Sequence, residues 1–222
     1  MWPVPRRLLP AALTAVLLLL TGCSGADWSV PHDGPLAEGA LADGFLEPGH
    51  TPTPEATVLP EPGSWDAITP VPGYRVVLLT RGDDPATSTL AEAVRDWARD
   101  EQVDLRTVEP ETPADLVPGI AEAVGMGADL IVSVGDDLVD PLAVVSPNHL
   151  DQQFLVVGAE IAEPTANVTA VDWTGAAYRG EGLGAASDHD PATFTPERSA
   201  RAIRAGVGAV LGGLTGIVVW ID

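Results

Sequence analysis

Acidic and hydroxyl side chains gather where apolar runs of this chain give way to helical ones. Arg81, Asp83, Asp84 and Ser88 follow the apolar run 74–80. Asp136 and Asp137 follow 130–134, Glu160 follows 153–157, and Asp172 and Trp173 follow 168–171. Carboxylates in such a rim can accept hydrogen bonds from sugar hydroxyls or an amine. They also suit a hard cation such as calcium, which takes about six to eight oxygen ligands. The competing reading is structural, because Asp and Ser at such junctions are ordinary caps and turn residues. Asp83, Asp84, Ser88, Asp136, Asp137 and Trp173 are the candidate ligand-binding residues. Trp173 is the aromatic placed to stack on a bound ring, with core packing as its alternative role.

Several chemistries are disfavoured. The chain has no lysine, which excludes a Schiff-base enzyme and a P-loop. Cys23 is the only cysteine, so neither an intrachain disulfide nor a cysteine cluster can form. His32, His50, His149 and His189 are scattered, and no metal or cofactor is expected. Ser187, Asp188, His189 and Asp190 hold the letters of a hydrolase triad, but consecutive residues rarely converge in those roles. No catalytic residue is assigned and no enzyme is expected.

The elements that position the rim alternate as strand and helix. Residues 74–80 (YRVVLLT) form a continuous apolar run, as in a strand covered on both faces. Residues 88–102 read as a helix with Leu90, Ala93, Val94, Trp97 and Ala98 on one side and a Thr89–Glu92 capping box. A strand over 104–108 follows, then a helix capped by Thr112 with Pro113 and Asp115. Residues 130–134, 153–157 and 168–171 are strands, and a short helix covers 138–145. A Gly- and Ala-rich helix is expected over 175–186. Thr195 and Pro196 open a last helix that ends at Gly212 and Gly213, and 216–221 is a final buried strand. This rhythm implies an α/β fold, a three-layer αβα sandwich with a mostly parallel sheet of about six strands.

Arg6 and Arg7 precede an apolar stretch over 8–20 that ends in Leu20-Thr21-Gly22-Cys23. The stretch is shorter than the roughly 20 residues a spanning helix needs, and it reads as a secretion signal over 1–22. Bacterial lipoproteins carry Leu-x-Gly-Cys at this point, and the segment resembles theirs. The resemblance implies palmitate-type lipidation of Cys23 and attachment to the extracytoplasmic face of a bacterial cell membrane. Removing 1–22 takes away two arginines and no acid, so the formal charge of −21 becomes −23. Such a polyanion is a poor partner for nucleic acid or anionic lipid. Residues 23–72 are rich in Pro, Gly and acids and read as a largely disordered tether. Two apolar pieces, 36–46 and 65–68, are candidates to dock on the domain, which is expected over 73–222.

The run 128–158, ADLIVSVGDDLVDPLAVVSPNHLDQQFLVVG, resembles the basic membrane protein family of substrate-binding lipoproteins of nucleoside ABC importers. Ala128, Asp129, Leu130, Ile131 and Gly135 fit its strand motif, and Pro147, Asp151 and Phe154 fit the piece that follows. Asn167, Val168, Tyr178 and Gly180 match a later strand and helix. The resemblance implies one lobe of a type I periplasmic-binding-protein fold and solute binding for import, with an ABC permease as partner. Two departures stand out. Family members have two lobes around the ligand, whereas this chain has residues for one, so the strand tips are expected to face open water. Thr89, Leu90 and Asp136 also stand where the family has Phe, Asn and a bulky residue, which removes the stacking surface. The alternative is a non-catalytic surface module that binds a second copy or another protein.

Overall fold

The computed structural model describes residues 1, 27–30, 32, 34–176 and 189–221. Residues 2–22 of the expected signal segment, Cys23, Tyr178, Gly180, Ser187, Asp188 and most of the helix expected over 175–186 lie outside the described residues. In chain order the elements are β1 (Ala37–Gly39), β2 (Thr57–Val58), β3 (Ile68–Pro70), β4 (Arg75–Thr80), α1 (Pro85–Asp100), β5 (Asp104–Val108), α2 (Leu116–Gly125), β6 (Leu130–Val134), α3 (Val139–Val145), β7 (Phe154–Val157), β8 (Val168–Asp172), α4 (Pro196–Leu211) and β9 (Val218–Trp220).

The main sheet has the order β2-β9-β8-β7-β6-β4-β5, and all of its pairs are parallel. Its central strands carry unbroken apolar runs because both faces are covered. Val76 and Leu78 of β4 point into one core with Leu90, Val94 and Trp97 of α1 and Ile203 of α4. Val77 and Leu79, the alternate residues, point into the other core with Ile120 of α2 and Leu142 of α3. The fold is thus the αβα sandwich expected, with α1 and α4 on one side and α2 and α3 on the other.

α1 begins earlier than the sequence suggests. Asp84 is its N-cap and accepts from the backbone N–H of Ala86 and Thr87 at 3.0 Å each, with Pro85 as first helical residue. An aspartate followed by proline is a stronger start than the Thr89–Glu92 pair. Thr89 instead donates its hydroxyl to the Pro85 carbonyl one turn back, at 2.7 Å. The second expected cap holds: the Thr112 backbone N–H donates to the Asp115 carboxylate at 3.1 Å. Thr195 caps α4 by accepting from Arg198 N at 3.2 Å.

The largest departure is the proline-rich segment, expected to be a disordered tether. Residues 36–70 instead lie on the domain as a packed arm. β1 and β3 pair antiparallel, Ala37 opposite Pro70. β2 adds a seventh strand beside β9, Thr57 opposite Val218. Phe45 (1% exposed), Trp65 and Ile68 are buried, so the apolar pieces at 36–46 and 65–68 both dock. Strands of two and three residues are too short to hold by themselves. The buried rings, and not local propensity, fix them. α4 makes this possible through small residues. A Cβ on Gly208 would sit 3.1 Å from Trp65 Cβ, and one on Gly206, on the sheet side, 2.5 Å from Val171 Cγ2 and 2.7 Å from Leu155 Cδ1.

Two stability measurements check this packing. Phe45→Ala is expected to lose about 3–5 kcal/mol in urea unfolding, as for other buried aromatics; a loss below about 1 kcal/mol would return the segment to a tether. Gly206→Ala would gain about 1 kcal/mol in a free helix. Here it is expected to destabilise by about 1–3 kcal/mol, because the methyl meets Val171 and Leu155.

Candidate functional site

β4 is the point where the sheet reverses its direction of growth. The chain leaves β4 for β5 on one side and returns through α2 to β6 on the other. The loops after β4 and β6 therefore diverge, and a crevice opens between their C-terminal ends, the usual ligand position in open parallel sheets. A cleft of about 370 Å³ occupies it, within the roughly 300–1,000 Å³ range of small-molecule sites.

Three walls enclose the cleft. Arg81, Asp84 and Thr87 come from the loop after β4 and the start of α1. Asp136 and Asp137 come from the loop after β6. The third wall is the stretch 189–194 before α4, which brings His189, Pro191 and Phe194 over the tip of β7. The tips of β4, β6 and β7 are thus walled within one copy by the approach to the final helix, and do not face bare solvent as expected. Gly135 turns the chain out of β6 at φ 103°, and Gly158 ends β7 at φ 78°. A Cβ on Gly158 would stand 2.8 Å from Phe194 Cε1, so the glycine lets the third wall close down.

The aromatic residue that reaches the cleft is Phe194, which is 7% exposed and packs with the core behind it. Phe194 stacks edge-on against Trp173 with centroids 5.0 Å apart, and the His189 ring is 5.4 Å from Phe194. The Trp173 indole N–H donates to Thr193 Oγ1 at 3.0 Å, and Thr193 donates to the Asp190 carbonyl at 2.8 Å. The wall is therefore braced from behind.

The six sequence candidates separate. Asp84, Asp136 and Asp137 converge on the cleft. Asp83 lines a broader, shallower depression toward β5, with Glu109 and Glu111. Ser88 is exposed on α1 and lines neither. Trp173 is only 1% exposed and acts as the backing of Phe194. Phe194 escaped the sequence reading, which named His189 only among the letters of a hydrolase triad. The available signal was Phe194 itself, a large apolar residue just ahead of the Thr195 cap.

The electrostatics give the acids different roles. Asp84 is partly desolvated, which opposes ionisation, but hydrogen bonds from the Thr87 hydroxyl and the Thr87 and Ala86 amides outweigh this and lower its pKa. Asp137 is ion-paired with Arg81. Asp136 is different: its residue is exposed at the cleft, yet partial desolvation by its neighbours raises its pKa, His189 offsets part of the rise, and the Asp84 charge adds to it. Asp136 is the acid of the cleft whose ionised form is least supported by its surroundings. Among the described residues, no group of three or more His, Cys, Asp and Glu is arranged to hold a metal ion, and no helix is long and apolar enough to cross a membrane.

A second groove of about 200 Å³ runs between α1 and α4, over Trp97 and beside Glu92, Asp96 and Arg204. It lies on the helical layer, away from the strand ends, and Arg204 is already paired with Glu101 at 3.2 Å. The switch-point cleft is the better site on both counts.

No protein-family model matches the chain, and no curated protein does. Among solved structures, the chain is similar to an ABC transporter system solute-binding protein from Aeropyrum pernix K1, at 25% identity and TM-score 0.41 over 45% of this chain and 28% of that one. A fragment from Peptoclostridium difficile 630 matches at 17% identity and TM-score 0.45, over 62% of this chain and 98% of the fragment. A transcriptional activator of the comK gene from Bacillus halodurans matches at 17% identity and TM-score 0.39, over 67% and 53%. The chain spans about a quarter of the first of these proteins. Similarity of this order leaves the ligand open, and the geometry of the cleft carries the functional reading.

Proposed function

We propose that this chain is a lipid-anchored, extracytoplasmic solute-binding protein that holds a small polar solute in the switch-point cleft and serves an ABC importer. The observation that carries the reading is the convergence of Asp84, Asp136 and Phe194 from three separate segments on one concavity. Their chemistry suits a solute with a flat ring and hydroxyl or amino groups. A nucleoside has both, in keeping with the sequence resemblance of 128–158. Phe194 covers the ring, and Asp136 accepts from a donor on the solute. Lipid on Cys23 provides the attachment, and a permease is the expected partner.

Thermal stabilisation across a panel of nucleosides, sugars, amines and divalent cations tests this reading. A nucleoside or amine hit is expected, and a panel without any shift refutes the solute-binding role. Phe194→Ala should weaken the hit by about tenfold, the order of one lost aromatic stack.

The pH dependence of Asp136 has a defined sign. Its folded-state pKa lies above the model value of 3.8. The stability it contributes is therefore present below 3.8 and lost as pH rises through the raised folded value. Asp136→Asn should accordingly raise Tm at pH 7, with the gap closing below pH 3.8. An amine ligand needs the ionised form, so its affinity should fall as pH drops through the raised pKa and lose that dependence in Asp136→Asn. A Tm gap that is the same at pH 3 and pH 7 would contradict the desolvated state of Asp136.

A further inference from the structure

Two features that ordinarily hold anions meet at the cleft, and each is occupied by one of the chain's own carboxylates. The first is the N-terminus of α1, a helix of 16 residues, whose free N–H groups and dipole favour negative charge. Asp84 already accepts from the N–H groups of Ala86 and Thr87 there. The second is Arg81, the one arginine among the described residues that line the cleft. The chain has no lysine to add to it. Asp137 takes this guanidinium as an ion pair. Asp136 brings a further carboxylate to the cleft. The adjoining depression, which shares Arg81, Gly82 and Asp137 with the cleft, adds Asp83, Glu109 and Glu111.

We infer that Asp137 determines specificity: by occupying Arg81 it makes the cleft reject anionic solutes, phosphate esters among them, and admit the neutral or cationic form. The inference rests on the solute-binding reading of this cleft and names the charge of the solute it takes. A nucleoside passes. The phosphate of its 5′-monophosphate would stand among Asp84, Asp136 and Asp137 with no free cation to meet it. Like charges brought together in this way reject a partner that fits in shape. Asp137 is also tethered beside Arg81, so a dissolved anion competes with a partner that cannot diffuse away. The two carboxylates are not equivalent. Asp84 is fixed as the cap of α1, whereas the Asp137 side chain is 56% exposed and its Arg81 partner 21%. Loss of the Asp137 charge therefore frees the guanidinium without opening a hole in the core. Arg81 Nε is buried and has no hydrogen-bond partner among the described residues. The freed arginine thus has unused donors in the planar fork that suits phosphate.

The test measures dissociation constants for adenosine, guanosine, cytidine and uridine and for the 5′-monophosphate of each. It is run at about pH 8, where histidine side chains are neutral. For a nucleoside that binds, the monophosphate should bind the wild-type chain at least about tenfold more weakly. Asp137→Asn should narrow that gap by about fivefold or more, through tighter binding of the monophosphate. Asp137→Glu, which keeps the ion pair, should preserve the gap. Arg81→Gln added to Asp137→Asn should restore it, because the guanidinium is then gone. A merely structural role for Asp137 would weaken both members of a pair alike and leave their ratio unmoved. Equal affinity of the wild-type chain for a nucleoside and its monophosphate overturns the inference and leaves the solute-binding reading standing. A ratio that Asp137→Asn does not change has the same consequence. A wild-type chain that binds none of these compounds overturns the inference together with the nucleoside reading.

Discussion

Everything in this molecule is organised about β4. All six of its residues are buried, and it pairs on both edges, with β5 and β6. A strand buried on both faces and both edges has no freedom to shift register without exposing its apolar side chains. Its two ends are therefore fixed points. Arg75 marks one end and reaches back to the Trp28 carbonyl, while Arg81 marks the other and pairs with Asp137 across the crevice. The crevice exists because the strand's two neighbours are reached by connections that leave in opposite directions.

Scarcity of positive charge sharpens this arrangement. The chain has 32 acids against 11 basic residues, all arginine, so self-repulsion works against compaction. Several of the described arginines stand at junctions between segments, although Arg99 pairs with Asp96 within α1. Arg204 on α4 meets Glu101 at the end of α1 and approaches Asp66 of the arm. From two strands, Arg75 reaches the Asp27 carbonyl and Arg106 covers the Trp28 ring. Arginine suits these places because its planar fork serves several oxygens at once and stacks on rings.

The parts of the fold that could be read from sequence are those set by local pattern. The runs 130–134 and 104–108 became strands with unchanged limits, and Thr195-Pro196 opened α4 as expected. Asp84-Pro85 was an equally local signal that the amphipathic pattern starting at Leu90 obscured. The arm was not legible for a different reason. Its composition is that of a disordered chain, and its two- and three-residue strands have no periodicity to read. Tertiary burial of Phe45, Trp65 and Ile68 and pairing with β9 hold it. In the cleft, the acids were visible because each follows its own strand. Phe194 was not, since it meets Asp84 across more than a hundred residues of chain and only the closed fold brings them together.

The two sides of the cleft consequently differ in how they are held. The β4 and β6 loops are anchored by paired strands, and Asp84 is locked by its own capping hydrogen bonds. The third wall has no strand in it. It stays in place through Trp173, which fills the space behind Phe194 and ties Thr193 by its indole N–H, and through Gly158, which leaves room for the ring to approach. Trp173 is thus a positioning residue whose effect reaches a solute through Phe194. In the proposed binding role, the acidic side supplies the polar contacts and the buried Phe194 closes the third side of the cleft. This closure also accounts for a fully buried tryptophan at the tip of β8, where the chain would otherwise need only a turn.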